Sequence, residues 1–181
     1  MRKVQIGVIG DSSCSDAEKE LAYIIGKTIA QSGCILICGG RGGVMEGASK
    51  GCKDHNGLVV GILPEFDEES SKANSYLDVA IPTNMGWTRN SFVPLASDGL
   101  LVIGGKSGTM SEIAFSWMYN KPIVSLDNEH IPKTSWGRKV ANSSLDNRRS
   151  DTIVGIEDPV QAVKIILDLI KKNRKYGSPQ I

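Results

Sequence analysis

The chain has 181 residues, of which 21 are Lys or Arg and 20 are Asp or Glu, so its formal net charge is +1. This near-neutral balance excludes a broad basic surface for nucleic acid or for an anionic membrane. A hydrophobic fraction of 40% and a charged fraction of 23% are ordinary for a folded globular domain and exclude extensive disorder. Glycine is over-represented with 20 residues, and the excess requires an explanation.

The sequence predicts neither a membrane segment nor a metal site. The longest apolar runs, such as residues 57–64, are too short to cross a bilayer. The first apolar run is interrupted by Gln5 and followed by acidic residues, so we expect a buried strand rather than a signal peptide, and a cytoplasmic protein. Because the four cysteines and two histidines show no zinc or redox spacing, we expect free thiols, no metal and no resident cofactor.

Apolar runs alternate with amphipathic runs along the whole chain. Ser15 and Glu18 have the spacing of a capping box, Pro94 should kink or shorten its helix, and Asp158 should cap the last helix. The strands are expected at residues 4–10, 34–38, 58–63, 78–81, 100–103, 122–126 and 152–156. The helices are expected at residues 15–33, 44–54, 88–97 and 109–119 and from 158 onward, with a solvated loop at 65–75 and an irregular stretch at 127–151.

Continuous apolar strands separated by helices predict an α/β fold, with a parallel sheet of about seven strands and helices on both faces. We expect residues 1–181 to form a single domain. In such sheets, ligands bind beyond the carboxyl ends of the strands, in the loops that lead into helices.

Two of these strand-to-helix loops repeat one pattern. Residues 37–45 read Ile-Cys-Gly-Gly-Arg-Gly-Gly-Val-Met, and residues 102–110 read Val-Ile-Gly-Gly-Lys-Ser-Gly-Thr-Met. Each loop brings backbone N–H groups and a basic side chain to a helix N-terminus, where the helix dipole also favours an anion. The predicted phosphate-binding residues are Gly10, Gly39, Gly40, Arg41, Gly42, Gly43, Gly105, Lys106, Gly108 and Thr109. The alternative is that these glycines only form tight turns packed against the sheet.

Two better-known phosphate motifs do not fit. A P-loop ending at Gly105-Lys106-Ser107 would need a glycine where Leu100 stands, and the dinucleotide fingerprint fails because Asp11 and Ser12 follow Gly10. Hydride transfer from a tightly held dinucleotide is therefore not expected.

Glu112 and Arg89 are the residues with the clearest chemical potential, and each has two interpretations. Glu112 could be a catalytic carboxylate, or it could complete a Thr-x-x-Glu capping box with Thr109. Arg89 could hold a phosphate or a carboxylate in its fork, or be a solvated residue at a helix start. Trp87 could stack on a base or belong to the core or to an interface.

The ordered set of motifs resembles the LONELY GUY family, long labelled "possible lysine decarboxylases", and especially its molybdenum-cofactor-carrier-like branch. The resemblance runs from Val4 to about Leu126. The motifs that carry it are residues 39–48, Val60-Gly61-Ile62-Leu63-Pro64, Thr88-Arg89-Asn90, Ser97-Asp98 and residues 104–112.

The resemblance implies a modified Rossmann fold, a homodimer or larger homo-oligomer, and hydrolysis of nucleoside 5′-monophosphates to a base and ribose 5-phosphate. Arg89 and Glu112 match the catalytic arginine and glutamate of the family, whereas Asn90 replaces its lysine and Ile103 its proline. The carrier-like branch fits better at those two positions, so the alternative is a non-catalytic carrier of a phosphorylated pterin such as the molybdenum cofactor. A lysine decarboxylase is not supported, because no lysine stands in a pyridoxal-phosphate context.

Overall fold

The computed structural model describes residues 2–175, and its strands form one parallel sheet in the order β4-β3-β2-β1-β5-β6-β7. The strands are β1 (Gln5–Gly10), β2 (Ile35–Cys38), β3 (Leu58–Leu63), β4 (Val79–Pro82), β5 (Gly99–Ile103), β6 (Ile123–Leu126) and β7 (Val154–Ile156). The helices are α1 (Asp16–Gln31), α2 (Val44–Lys53), α3 (Phe92–Ala96), α4 (Ser107–Met118), α5 (Trp136–Val140) and α6 (Pro159–Lys175), with a 3-10 helix at Gly86–Ser91.

Both faces of the sheet are covered by helices, as the continuous apolar strands require. Alternate residues of β5 point to opposite sides: Leu101 and Ile103 pack with α1, α2 and α6, whereas Leu100 and Val102 pack with α3, α4 and α5. The predicted parallel α/β sheet of about seven strands with helices on both faces is therefore confirmed. Within residues 2–175, no helix combines the length and the apolar character that crossing a bilayer requires.

The two predicted caps are confirmed. The backbone N–H of Glu18 donates to Ser15 Oγ at 3.2 Å, and the Ser15 N–H donates to Glu18 Oε2 at 3.0 Å, which completes the capping box of α1. Asp158 Oδ1 accepts the backbone N–H of Gln161 at 2.7 Å at the start of α6.

Two regions differ from the sequence prediction. The helix expected at 88–97 is a 3-10 helix followed by the short α3, and Pro94 lies in the first turn of α3, where its missing N–H is tolerated. The stretch 127–151 was expected to be irregular, yet it contains α5. The start of α5 is held by tertiary hydrogen bonds, because the N–H groups of Trp136 and Gly137 donate to the carbonyls of Gly105 and Gly104 at 3.0 and 2.9 Å.

Candidate functional site

A cleft of about 830 Å³ opens at the carboxyl ends of the central strands, between the 3-10 helix, the start of α4 and the loops that follow β1 and β2. Its volume is in the range of small-molecule sites, roughly 300–1,000 Å³. The lining residues are Gly10, Asp11, Ser12, Ser13, Arg41, Met45, Trp87, Thr88, Arg89, Asn90, Lys106, Ser107, Gly108, Thr109, Ser111, Glu112 and Phe115.

Arg89 and Glu112 lie side by side and buried at this cleft. The 3-10 helix supplies Arg89 and α4 supplies Glu112, and the two residues are only 6% and 7% exposed. Arg89 Nη1 lies 3.7 Å from Glu112 Oε1, which is an ion-pair distance but too long for a hydrogen bond. Arg89 Nε is buried without a hydrogen-bond partner among the residues described. Leaving a buried donor of a charged group unpaired costs stability, which sets Arg89 apart from an ordinary solvated arginine.

The burial of this pair changes its acid–base properties. Burial raises the pKa of the Glu112 carboxyl from 4.5 to about 8, and the positive charge of Arg89 offsets only part of that rise. Burial also lowers the pKa of Arg89, against the opposing effect of Glu112. A carboxyl that holds its proton near neutral pH can act as a general acid, as desolvated carboxyls do in glycoside hydrolysis.

Glu112 is not the partner in a capping box. Helix α4 begins at Ser107, two residues earlier than the sequence predicted, and its N-cap residue is Lys106. Glu112 is therefore the sixth helical residue rather than the third residue after a Thr109 cap, and the capping-box interpretation is wrong. No side chain caps the N-terminus of α4, so its first-turn amides remain available where Ser107, Gly108 and Thr109 line the cleft.

The second glycine loop lies directly on the cleft. Lys106, Gly108 and Thr109 line the cleft, whereas Gly105 lies behind them, and a Cβ at position 105 would collide with the side chain of Thr109. Gly10, at the end of β1, also lines the cleft. The structure thus brings four of the predicted phosphate-binding residues to this cleft, three of them at the start of α4.

The first glycine loop serves mainly to pack the structure, and Arg41 is the one of its predicted phosphate-binding residues that lines the cleft. A Cβ at Gly40 would meet Leu63, one at Gly42 would lie 3.1 Å from the Ser12 carbonyl, and one at Gly43 would collide with the Asp11 carbonyl.

The N-terminus of α2 is covered as well, because the backbone N–H of Val44 donates to the Asp11 carbonyl at 3.0 Å. The first loop is therefore less open to an anion than the second, although the two sequences match. Gly39 lies beneath Arg89, where a Cβ would be 2.5 Å from Nη1.

Lys106 and Asp11 connect two walls of the cleft. Lys106 Nζ lies 2.8 Å from Asp11 Oδ2, and the two side chains are 77% and 18% exposed. The hydrogen bond to Asp11 raises the pKa of Lys106 above its ordinary value. One of the two basic side chains in the cleft loops is thus already paired with an acid.

Several lining residues were not predicted as site residues. Asp11, Ser12 and Ser13 follow β1 at the carboxyl edge of the sheet, so the same rule that selected the glycine loops could have found them. Met45, Ser107, Ser111 and Phe115 reach the cleft only through the orientation of α2 and α4, which no local pattern indicates. Within residues 2–175, no three His, Cys, Asp or Glu side chains gather as metal ligands would.

Asn90 links the 3-10 helix to α4. Its Nδ2 donates to Ser111 Oγ at 2.9 Å, and Ser111 Oγ donates in turn to the Gly108 carbonyl at 2.6 Å. These bonds hold the helix that carries Arg89 against the helix that carries Glu112. Trp87, by contrast, is 79% exposed, so it is not a core residue of this chain.

Two curated proteins are similar to this chain in sequence. An uncharacterized protein of Archaeoglobus fulgidus is 44% identical over 126 residues, which cover 70% of this chain and 82% of that protein. A cytokinin riboside 5′-monophosphate phosphoribohydrolase of Mycobacterium tuberculosis is 30% identical over 118 residues, covering 60% of this chain and 62% of the enzyme.

Two solved structures share the fold at similar identity. The molybdenum cofactor binding protein of Rippkaea orientalis is 31% identical, with a TM-score of 0.81, over 94% of this chain and 99% of that one. The molybdenum cofactor carrier protein of Chlamydomonas reinhardtii is 31% identical, with a TM-score of 0.76, over 92% of this chain and 99% of that one.

The relatives agree with the resemblance that the ordered motifs indicated, including its carrier-like branch, and that prediction is confirmed. The sequence profile of the SLOG cluster4 family matches residues 3–163, which is most of the chain. The protein therefore belongs to the SLOG cluster4 family.

Proposed function

We propose that the cleft binds a phosphorylated small molecule and that the protein hydrolyses the N-glycosidic bond of nucleoside 5′-monophosphates, releasing a base and ribose 5-phosphate. The observation that carries the proposal is the buried pair of Arg89 and Glu112, two residues that line a cleft beside the uncapped start of α4. The name of the Mycobacterium tuberculosis relative, a phosphoribohydrolase of a nucleoside monophosphate, supports the same reaction class.

The start of α4 is the proposed phosphate site. Its first-turn amides have no side-chain cap, and the positive end of the helix dipole points to the same place. Lys106, Gly108 and Thr109 line the cleft there, and Arg41 adds a second positive charge from the loop after β2. Holding the phosphate at this point would fix the ribose near the Arg89–Glu112 pair and supply the orientation that catalysis requires.

Glu112 is the proposed catalytic carboxyl. In its protonated form it gives its proton to the departing base nitrogen as the C1′–N bond breaks and the bonding electrons leave with the base. The resulting carboxylate stabilises the oxocarbenium-like transition state and takes a proton from the water whose oxygen bonds to C1′. The protonated carboxyl is thereby restored, and the products are the free base and ribose 5-phosphate. The positive charge of Arg89 stabilises the carboxylate form of Glu112.

A panel of nucleoside 5′-monophosphates, assayed for ribose 5-phosphate, tests the proposal. We expect turnover of at least one substrate and a loss of about 10²–10⁴-fold in Glu112→Gln. The absence of ribose 5-phosphate from every substrate would refute hydrolysis. Unchanged turnover in Glu112→Gln would remove the catalytic role of Glu112.

A non-catalytic carrier of a phosphorylated cofactor is the second candidate function. The observation that favours it is Asn90, a neutral amide already committed to Ser111 and the Gly108 carbonyl, at the position where the hydrolases of the family carry a lysine. The names of the two structural relatives, a molybdenum cofactor binding protein and a carrier protein, support it as well. Tight binding of a pterin phosphate such as neopterin monophosphate, without release of ribose 5-phosphate from any nucleotide, would establish this alternative.

We further propose that residues 1–181 form one ligand-binding domain in a cytoplasmic homo-oligomer. The shared sheet and its two-sided core support a single domain. The oligomer follows from the family that the motifs resemble, whose members are homodimers or larger homo-oligomers. Light scattering of the full chain tests the oligomer, and a monomer at every concentration would refute it.

A further inference from the structure

Trp87 is the one tryptophan in residues 2–175 that lines the cleft, and most of its indole is exposed to solvent. Its exposed fraction is 79%, against 2% for Trp117 and 37% for Trp136. An exposed indole is a large apolar surface with a polar N–H, a combination that is frequent where a protein meets a partner or a ligand. The place of Trp87 in the cleft wall, rather than its exposure alone, points to a ligand.

The local geometry places one edge of the indole beside Gly108, in the first turn of α4. A 3-10 helix has three residues per turn, so Trp87 and Asn90 lie on one side of the helix, one turn apart. Both approach Gly108 on α4, where a Cβ would lie 3.7 Å from Trp87 Cζ3 and 3.6 Å from Asn90 Nδ2. Trp87 therefore reaches across to the first turn of α4.

The cleft combines apolar and charged parts. Met45 and Phe115 add apolar lining besides the indole, whereas Arg89 and Glu112 supply a buried guanidinium and a buried carboxyl group. A ligand that fits has a flat apolar part, an anionic group and a polar segment between them. A sugar phosphate without an aromatic ring would leave the indole in water.

We propose that Trp87 is the stacking platform for a planar heteroaromatic ring and that it selects phosphate esters bearing such a ring over sugar phosphates without one. The proposal rests on the proposed function, since it needs the ligand's phosphate at the start of α4. A nucleobase and a pterin share the required chemistry, a flat π-face, so the indole accepts either source.

Binding measured by calorimetry on the full chain tests this platform. The ligands are adenosine 5′-monophosphate, neopterin monophosphate, ribose 5-phosphate and inorganic phosphate, and the variants are Trp87→Ala, Trp87→Phe and the matched control Trp136→Phe. We expect Trp87→Ala to raise the Kd of at least one ring-bearing ligand by about tenfold or more. The Kd of ribose 5-phosphate should stay within about twofold, and Trp87→Phe should retain most of the affinity.

Tryptophan fluorescence gives a second readout. Adenosine 5′-monophosphate should change the emission of the wild type and of Trp136→Phe but not of Trp87→Phe, whereas ribose 5-phosphate should change none of them. If Trp87→Ala weakened the binding of ribose 5-phosphate as much as that of the ring-bearing ligands, the platform would be overturned. Unchanged binding of all these ligands would overturn it as well.

Two further outcomes separate this platform from the proposed function. Dissociation of an oligomer in Trp87→Ala, with nucleotide binding unchanged, would assign the indole to a subunit interface instead and overturn the platform alone. Failure of the wild type to bind any of the four ligands would overturn the phosphate site and the platform together.

Discussion

Gly39 lies directly beneath the guanidinium of Arg89, so close that a Cβ at position 39 would be 2.5 Å from Nη1 and 2.8 Å from Met45 Sδ. The glycine is part of a loop whose sequence suggests a phosphate site, yet its side-chain position is taken by an arginine from another element. The absence of a side chain at Gly39 is therefore what allows Arg89 to be buried beside Glu112.

Gly39→Ala tests this relationship. The added methyl group must displace the guanidinium, since real Cβ atoms essentially never approach another heavy atom that closely. We expect the Arg89–Glu112 geometry to be lost and turnover to fall by about tenfold or more, with an overpacking cost of about 1–3 kcal/mol in the free energy of unfolding. Steady-state kinetics and chemical denaturation measure the two effects.

Gly42→Ala is the matched control for that variant, because its Cβ would meet only the Ser12 carbonyl at 3.1 Å. It should affect turnover much less than Gly39→Ala. Equal losses in the two variants would show that Gly39 has no special relation to Arg89.

The pH dependence of stability should report on Glu112. Burial raises the pKa of the Glu112 carboxyl from 4.5 in the unfolded chain to about 8 in the folded protein. Between these two pH values the folded protein retains a proton that the unfolded chain has released. The contribution of Glu112 to the free energy of unfolding is therefore fully present below pH 4.5 and is lost as the pH rises through about 8. The steepest slope that one carboxyl can produce is about 1.4 kcal/mol per pH unit.

Glu112→Gln removes that titration. Between pH 5 and pH 9 the free energy of unfolding of the wild type should fall relative to that of the variant, as measured by urea denaturation in a pH series. The exposed Glu20→Gln makes the same chemical change outside the cleft and should follow the wild-type profile. Parallel profiles for wild type and Glu112→Gln would mean that the carboxyl is ionised throughout.

Asp11 competes with an incoming anion for Lys106, since the two side chains are already 2.8 Å apart. Asp11→Asn keeps an acceptor for the Ser13 N–H, which the wild-type carboxylate receives at 3.2 Å, but removes the negative charge. We expect it to strengthen the binding of ribose 5-phosphate by about twofold to fivefold, the range of an exposed ion pair. Lys106→Met should weaken binding by a similar factor. Calorimetry at low and high salt measures both variants, and weaker anion binding in Asp11→Asn would contradict the competition.

Helix α5 supports the second glycine loop from outside the cleft. A Cβ at Gly137 would lie 2.8 Å from the Gly104 carbonyl, so Gly137→Ala must push α5 away from the loop. We expect a loss of about 1–3 kcal/mol in the free energy of unfolding, together with weaker phosphate binding. Lys139→Ala, at an exposed position of the same helix, should leave the free energy of unfolding and the phosphate affinity nearly unchanged. A change in stability without any change in phosphate affinity would show that the loop does not depend on α5.

Local sequence patterns were sufficient to predict the sheet and the caps. Apolar periodicity and the Ser15–Glu18 spacing depend on neighbours a few residues apart, and these predictions are confirmed. The same patterns could not place α5, whose polar sequence becomes helical against the carbonyls of Gly104 and Gly105.

The sequence by itself therefore determined the parallel fold, the family, and the presence of Arg89 and Glu112 near the carboxyl edge of the sheet. Only the tertiary structure decided that Glu112 is a buried acid rather than a capping residue, and that Gly39 makes room for Arg89 instead of lying in the cleft wall. It also decided that the second glycine loop opens to the cleft, whereas the first, which has a matching sequence, is covered by Asp11 and Ser12. The physical reason is that burial, charge pairing and pKa depend on groups far apart in the chain, which only the packing of the helices on the sheet brings together.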